Sequence, residues 1–108
     1  MACTVEMEND VCRIHIEGDM TIYTAFELKR ELVPCLAKAP QLELDLSRVN
    51  EMDTAGLQLL ILLKRETTKS GGRLALTAHS PTVTEIIDTF DMAAFFGDPI
   101  VLQPRRAA

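Results

Sequence analysis

Asp53-Thr54-Ala55-Gly56 is the stretch of this chain whose residue types can do chemistry. An acid, a hydroxyl and two small residues stand in a row. An apolar run, Leu57-Gln58-Leu59-Leu60-Ile61-Leu62-Leu63, follows directly. This predicts a helix with Asp53 or Thr54 at its start. A side-chain oxygen there can cap an orphan backbone N–H, worth about 1 kcal/mol. It can equally be a hydroxyl held open for a phosphate, because helix N-termini favour anions. Gly56 costs roughly 1 kcal/mol relative to Ala inside a helix, so something is expected to approach the backbone closely there. Ala55 and Gly56 leave the Thr54 hydroxyl sterically open. Residues 48–53 read as a loop beyond the carboxyl end of a strand, where ligands bind in open α/β sheets.

The elements that must position this segment follow from periodicity. Cys12, Ile14 and Ile16 alternate with Arg13, His15 and Glu17, which predicts a strand over 11–17. A weaker alternation over 4–8 and the turn signal Asn9-Asp10 make the two a hairpin, and Gly18-Asp19 is expected to end the second strand. Ala25, Leu28, Leu32, Cys35 and Leu36 form one helical stripe over 23–39, with Pro34 expected to kink the helix or end its regular part near Val33. Leu42, Leu44 and Leu46 alternate with Glu43, Asp45 and Ser47 in a further strand. A helix over 54–70 ends at Gly71-Gly72. Residues 73–78 form another strand, with Leu74 and Leu76 on one side. Ser80-Pro81 starts a helix presenting Val83, Ile86, Ile87 and Phe90. A short helix or turn over 91–96, an edge strand at 100–102 and a frayed tail at 104–108 complete the chain. The result is one α/β domain over residues 1–108: a mixed four- to five-stranded sheet with parallel, right-handed βαβ units. Its polar face (Arg13, His15, Glu43, Asp45) places the helices mainly on the other side.

On the helix after the motif, Leu57, Leu59, Leu60, Ile61 and Leu63 cover roughly 200° of surface, more than one sheet face needs. Neighbouring helices are expected to take up the remainder. Leu62 lies outside that arc, near Gln58, and is the residue expected to be exposed to a partner.

Composition narrows the function. The 108 residues, 47% hydrophobic, suffice for one aliphatic core, with no Trp and one Tyr. A formal net charge of −5 argues against binding nucleic acid or anionic lipid. No apolar run approaches the roughly 18 residues that span a bilayer, and the first residues lack the features of a signal peptide, so a cytoplasmic location is expected. Cys3, Cys12 and Cys35 and the two His lack metal-ligand spacing; Cys12 and Cys35 read as buried thiols. No cofactor is implied. Catalysis finds no support either. Thr54 has no local His as base, His15 reads as a surface residue, His79 as a loop residue, and Gly71-Gly72 precedes a strand rather than the helix a P-loop requires.

The segment Asp45-Leu-Ser-Arg-Val-Asn-Glu-Met-Asp-Thr-Ala-Gly-Leu57 resembles the signature of STAS domains, typified by bacterial anti-sigma-factor antagonists. Gly18-Asp-Met-Thr21, Thr24-Ala-Phe-Glu-Leu28 and Gly71-Gly-Arg-Leu74 extend the resemblance over almost the whole chain. It implies a protein that acts by binding. An anti-sigma factor that is also a Ser/Thr kinase would phosphorylate Thr54, and a phosphatase would reset it. The implied contact surface is residues 19–23, residues 49–53 and the first turns of the helix, with Asp19, Thr21, Tyr23, Asn50, Asp53, Thr54, Ala55, Gly56, Gln58 and Leu62 as its named residues. Two positions depart from the pattern: Thr21 stands where an acid is common, and Ala55 replaces a frequent Ser. The same family also contains constitutive subunits of lipid-transport ATP-binding-cassette, chemotaxis and stress-signalling complexes, which is the alternative role. The sequence leaves the oligomeric state open.

Overall fold

The computed structural model describes residues 2–97; the edge strand expected at 100–102 and the tail at 104–108 lie outside them. Strands β1 (Ala2–Glu8) and β2 (Val11–Met20) form an antiparallel hairpin. Its turn places Asn9 at φ 56°, a left-handed conformation that Asn tolerates. Helix α1 (Ala25–Leu32) continues into a 3-10 turn (Val33–Ala37) at Pro34, which lacks the N–H a longer α-helix would need. Strand β3 (Gln41–Met52), helix α2 (Thr54–Lys69), strand β4 (Arg73–His79) and helices α3 (Pro81–Thr89) and α4 (Ala93–Phe96) follow. The sheet order is β1-β2-β3-β4, with β2, β3 and β4 parallel.

One sheet face carries the core. Cys12, Ile14, Ile16, Leu42, Leu44, Leu46, Leu74 and Leu76 are buried in one cluster with Leu28 and Leu32 of α1, Leu57, Leu60 and Leu63 of α2, and Val83 and Ile87 of α3. The opposite face is polar, and none of the described helices packs on it. There Arg13 pairs with Glu8 and Glu43, and His15 lies 3.0 Å from Asp45 and 3.4 Å from Glu6. Helix α2 ends where Gly71 N–H donates to Thr68 O and Gly72 N–H to Thr67 O, the paired bonds of a Schellman stop. Ser80 caps α3, its Oγ accepting from Val83 N–H at 3.3 Å.

Three expectations need correcting. Strand β2 does not end at Gly18-Asp19; it runs on to Met20, opposite Met52. Residues 48–52 are not a loop; they are the end of β3. The alternation fails there because β3 carries extra residues. His15 pairs with Asp45 but Glu17 with Arg48, and Gly18 pairs with Val49 but Asp19 with Glu51. These bulges flip the pattern, so that Val49 is buried where Ser47 and Arg48 are exposed. Gly18, at φ 105°, supplies a backbone conformation other residues rarely adopt beside the second bulge. His79 is not a loop residue. It ends β4, half-buried, and burial pushes its pKa down.

Candidate functional site

The bulged ends of β2 and β3 deliver the site to the carboxyl edge of the sheet. Helix α2 starts one residue after β3 ends, and Asp53 is the hinge between them. Its Oδ1 accepts from Ala55 N–H at 2.9 Å and from Gly56 N–H at 3.3 Å. Its Oδ2 accepts from Ile22 N–H at 3.0 Å, in the link between β2 and α1. One carboxylate therefore caps α2 and ties it to the neighbouring link. Desolvation pushes the Asp53 pKa up, but the N–H groups of Ile22, Gly56 and Ala55 outweigh it and hold it below the usual carboxylate value.

Asp53 settles which residue caps the helix. Thr54 occupies the first helical position, exposed, and no side chain among the described residues bonds its hydroxyl. The backbone N–H groups expected to welcome a phosphate are another matter: those of Ala55 and Gly56 already hold the Asp53 carboxylate. A phosphate on Thr54 would sit beside that charge. Asp19 and Glu51, exposed partners in the β2–β3 ladder, are the next acids along the strand ends.

The close approach read from sequence at Gly56 is made by the chain itself. A Cβ on Gly56 would stand 2.2 Å from the Met20 carbonyl oxygen. What approaches its backbone is the end of β2, and Gly56 is buried. It sets how closely α2 packs and presents no side chain to a partner.

The link after β2 is equally constrained. The Thr21 carbonyl accepts from Thr24 N–H at 3.0 Å and Ala25 N–H at 2.7 Å, while the Thr21 hydroxyl accepts from Tyr23 N–H at 3.3 Å. Thr24 Oγ1 donates to the Asp19 carbonyl at 2.8 Å. These bonds hold Tyr23, 92% exposed, out in solvent. Asn50 is exposed at the second bulge, where it has no partner in the β2 register. Ala55, Gln58 and Leu62 share a shallow groove of about 370 Å³ with Leu59 of α2 and with Ala25, Phe26 and Lys29 of α1. Leu62 is half-buried on the wall of that groove, packed against the core rather than standing free.

Two more large apolar residues belong to this surface: Ile22, inside the contact stretch expected at 19–23, and Phe26, which escapes a reading of the sequence. Ile22 and Phe26 are each 69% exposed, beside Tyr23. Phe26 carries a usable signal, because it falls off the apolar stripe of its helix, with the Arg30 guanidinium 5.8 Å from its ring centre. The exposure of Ile22 carries none. Large apolar side chains left in water together mark a protein-binding surface. The arrangement can therefore do two things: present an apolar patch to a partner, and offer one free hydroxyl at its edge for modification. Among the described residues no group of His, Cys, Asp and Glu is placed to hold a metal ion, and no helix is long and apolar enough to cross a membrane.

Comparison with known proteins agrees with this architecture. A family model described as "Mlab, STAS domain" matches residues 3–102. The anti-sigma-B factor antagonist of Bacillus subtilis (strain 168) is 31% identical over 81 residues, which is 75% of this chain and 73% of the relative. An anti-sigma factor antagonist from Mycobacterium paratuberculosis superposes with a TM-score of 0.80 at 23% identity, over 90% of this chain and 83% of that one. The anti-sigma factor antagonist SpoIIAA in its unphosphorylated form gives 0.74 at 20% identity, over 90% of this chain and 87% of the other. The Bacillus SpoIIAA in its phosphorylated form gives 0.69 at 19% identity, over 90% of both chains. The structures share the fold; the family match and the Bacillus relative go further. By its sequence and by its fold, this chain belongs to the STAS domain family.

Proposed function

We propose that this chain is an anti-sigma-factor antagonist of the cytoplasm, switched at Thr54. Unphosphorylated, it binds an anti-sigma factor that is also a Ser/Thr kinase, so that the sigma factor is released. Phosphorylated, it lets that partner go, and a phosphatase restores it. It works by binding and not by catalysis, without cofactor, nucleic acid or membrane insertion. The observation that carries this reading is the free Thr54 hydroxyl: Asp53 does the capping, and Thr54 stands exposed at the rim of an apolar patch. That related proteins are anti-sigma factor antagonists, one of them described in both phosphorylation states, supports it.

The physics of release is electrostatic. Phosphorylation adds about −1.5 to −2 charge. That charge would lie beside the Asp53 carboxylate and must be desolvated when Tyr23 and its neighbours are covered. A coupling of about 3 kcal/mol lowers affinity more than a hundredfold. Thr54→Glu is therefore expected to lose partner binding while Thr54→Ala keeps it, measured by calorimetry with the isolated anti-sigma factor. Equal binding by Thr54→Glu and wild type would sink the switch.

One observation favours the alternative, a constitutive subunit of a lipid-transport, chemotaxis or stress-signalling complex. The Asp53 carboxylate already holds two helix-start N–H groups, so the site is less welcoming to a phosphate than an uncapped helix. Co-expression with a cognate kinase followed by intact-mass measurement separates the two. An added phosphate lost in Thr54→Ala supports the switch; an unmodified mass supports the subunit.

A further inference from the structure

The two edges of the sheet are treated differently. At the β4 edge, Lys64 Nζ reaches the Leu74 carbonyl at 3.4 Å and the Phe96 carbonyl at 3.2 Å, so the end of α4 is held against that edge. At the other edge, β1 pairs with β2 alone among the described residues. Its seven residues, Ala-Cys-Thr-Val-Glu-Met-Glu, contain no Pro, Lys or Gly, and their register with β2 has no shift. Val5 is 38% and Met7 50% exposed, on the side that faces the core in β2. Long, regular edges with one apolar face template pairing with another strand.

We propose that β1 is a self-association edge, and that the occupant is β1 of a second copy, antiparallel about a two-fold axis at Val5. Length, charge and pattern select this register, in which all seven residues of β1 are paired. It sets Val5 against Val5, Cys3 against Met7 and Thr4 against Glu6, with Glu8 opposite Ala2. Apolar residues meet apolar ones on one face, and no acid faces an acid on the other. Moving the axis to Glu6 sets two like charges opposite each other, which is destabilising. A shift by one residue sets apolar side chains against polar ones. Glu8 is also partly neutralised within the chain, by Arg13. The two-fold reverses β2, so the two Thr54 sites lie at opposite ends of the joined sheet. Each can then hold its own partner; that stoichiometry rests on the function proposed above, whereas the pairing does not.

The test is made on the full chain without any partner. Light scattering coupled to size exclusion is expected to give a dimer for wild type and a monomer for Met7→Lys with unchanged circular dichroism. A wild type that stays monomeric from micromolar to millimolar concentration, or a folded Met7→Lys that stays dimeric, overturns the proposal. The register is read separately by cross-linking in a Cys3→Ser background. Val5→Cys is expected to form a disulfide-linked dimer under mild oxidation, because directly opposed strand residues lie within disulfide reach. Met7→Cys faces position 3 of the other copy, where that background leaves no thiol, and is expected to stay unlinked. Equal linking of both, or of neither, rejects the two-fold at Val5.

Discussion

Helices α2 and α3 begin in the same way and are finished differently. Each follows a parallel strand at the carboxyl edge of the sheet, and each has a side-chain cap one residue ahead of the helix. At α3 the hydroxyl is the cap: Ser80 is 6% exposed, with Pro81 behind it. At α2 a carboxylate is the cap, and the hydroxyl of Thr54 comes one residue later with nothing structural to do. The lesson is that a hydroxyl at a helix start is informative only once the capping residue is known. Where the acid caps, the hydroxyl is available. Asp53 Oδ2 also accepts from Ile22 N–H, so its side chain ties the α2 start to a neighbouring link, whereas at α3 the tie is the Ser80 backbone N–H, which donates to the Leu46 carbonyl at 3.0 Å.

The largest test of this contrast is Gly56→Ala. Alanine favours helices by about 1 kcal/mol over glycine. Here its Cβ would meet the Met20 carbonyl oxygen at 2.2 Å, and backbone must move. A net destabilisation of about 3 kcal/mol is expected from overpacking, measured by urea unfolding. A stabilised variant would mean that α2 is not clamped against β2.

Next is Asp53→Ala, expected to cost about 2 kcal/mol, the sum of a lost cap and a lost charge-assisted bond to Ile22. Asp53→Asn keeps a capping oxygen and loses the second acceptor, so it should cost about half as much. Its sharper signature is the pH dependence. The folded-state pKa of Asp53 is depressed. Its contribution is therefore present above the unfolded value of about 4 and is lost as pH falls through the folded value. The difference between wild type and Asp53→Ala should shrink on acidification. Ser80→Ala should cost about 1 kcal/mol, and the same at every pH, because no titrating group is removed. A pH-independent cost for Asp53→Ala would show that its charge contributes nothing.

Much of this arrangement is legible from residues alone. Period-two and helical patterns locate strands β1 to β4 and the helices on one face, because each buried Leu or Ile sits where its element's period puts it. Asp53 and Thr54 are recognisable as a helix start. The division of labour between them is not, since spacing permits either to cap. The extent of β3 is hidden because Ser47, Arg48, Asn50 and Glu51 look like loop residues; two bulges let a strand carry them. Gly56 points correctly to a close approach, but sequence cannot say that the approaching group is the chain's own Met20. Ile22 lies in the contact stretch expected at 19–23, but its exposure is not legible, because that depends on hydrogen bonds made by Thr21, Thr24 and Asp53 around it.

The smallest expected effect carries the most weight. Thr54 is exposed, and its hydroxyl holds no side chain among the described residues. Alanine is at least as good a helix former. Thr54→Ala should therefore change stability by no more than about 0.5 kcal/mol, the range of ordinary surface substitutions. Ser80→Ala, removing a hydroxyl from the matching place on α3, should cost about twice that or more. Both are measured under one set of unfolding conditions. If Thr54→Ala costs as much as Ser80→Ala, the Thr54 hydroxyl is structural and the two helix starts are alike. A neutral Thr54→Ala leaves the hydroxyl without a structural purpose, at the rim of an apolar patch that has no purpose within the fold either.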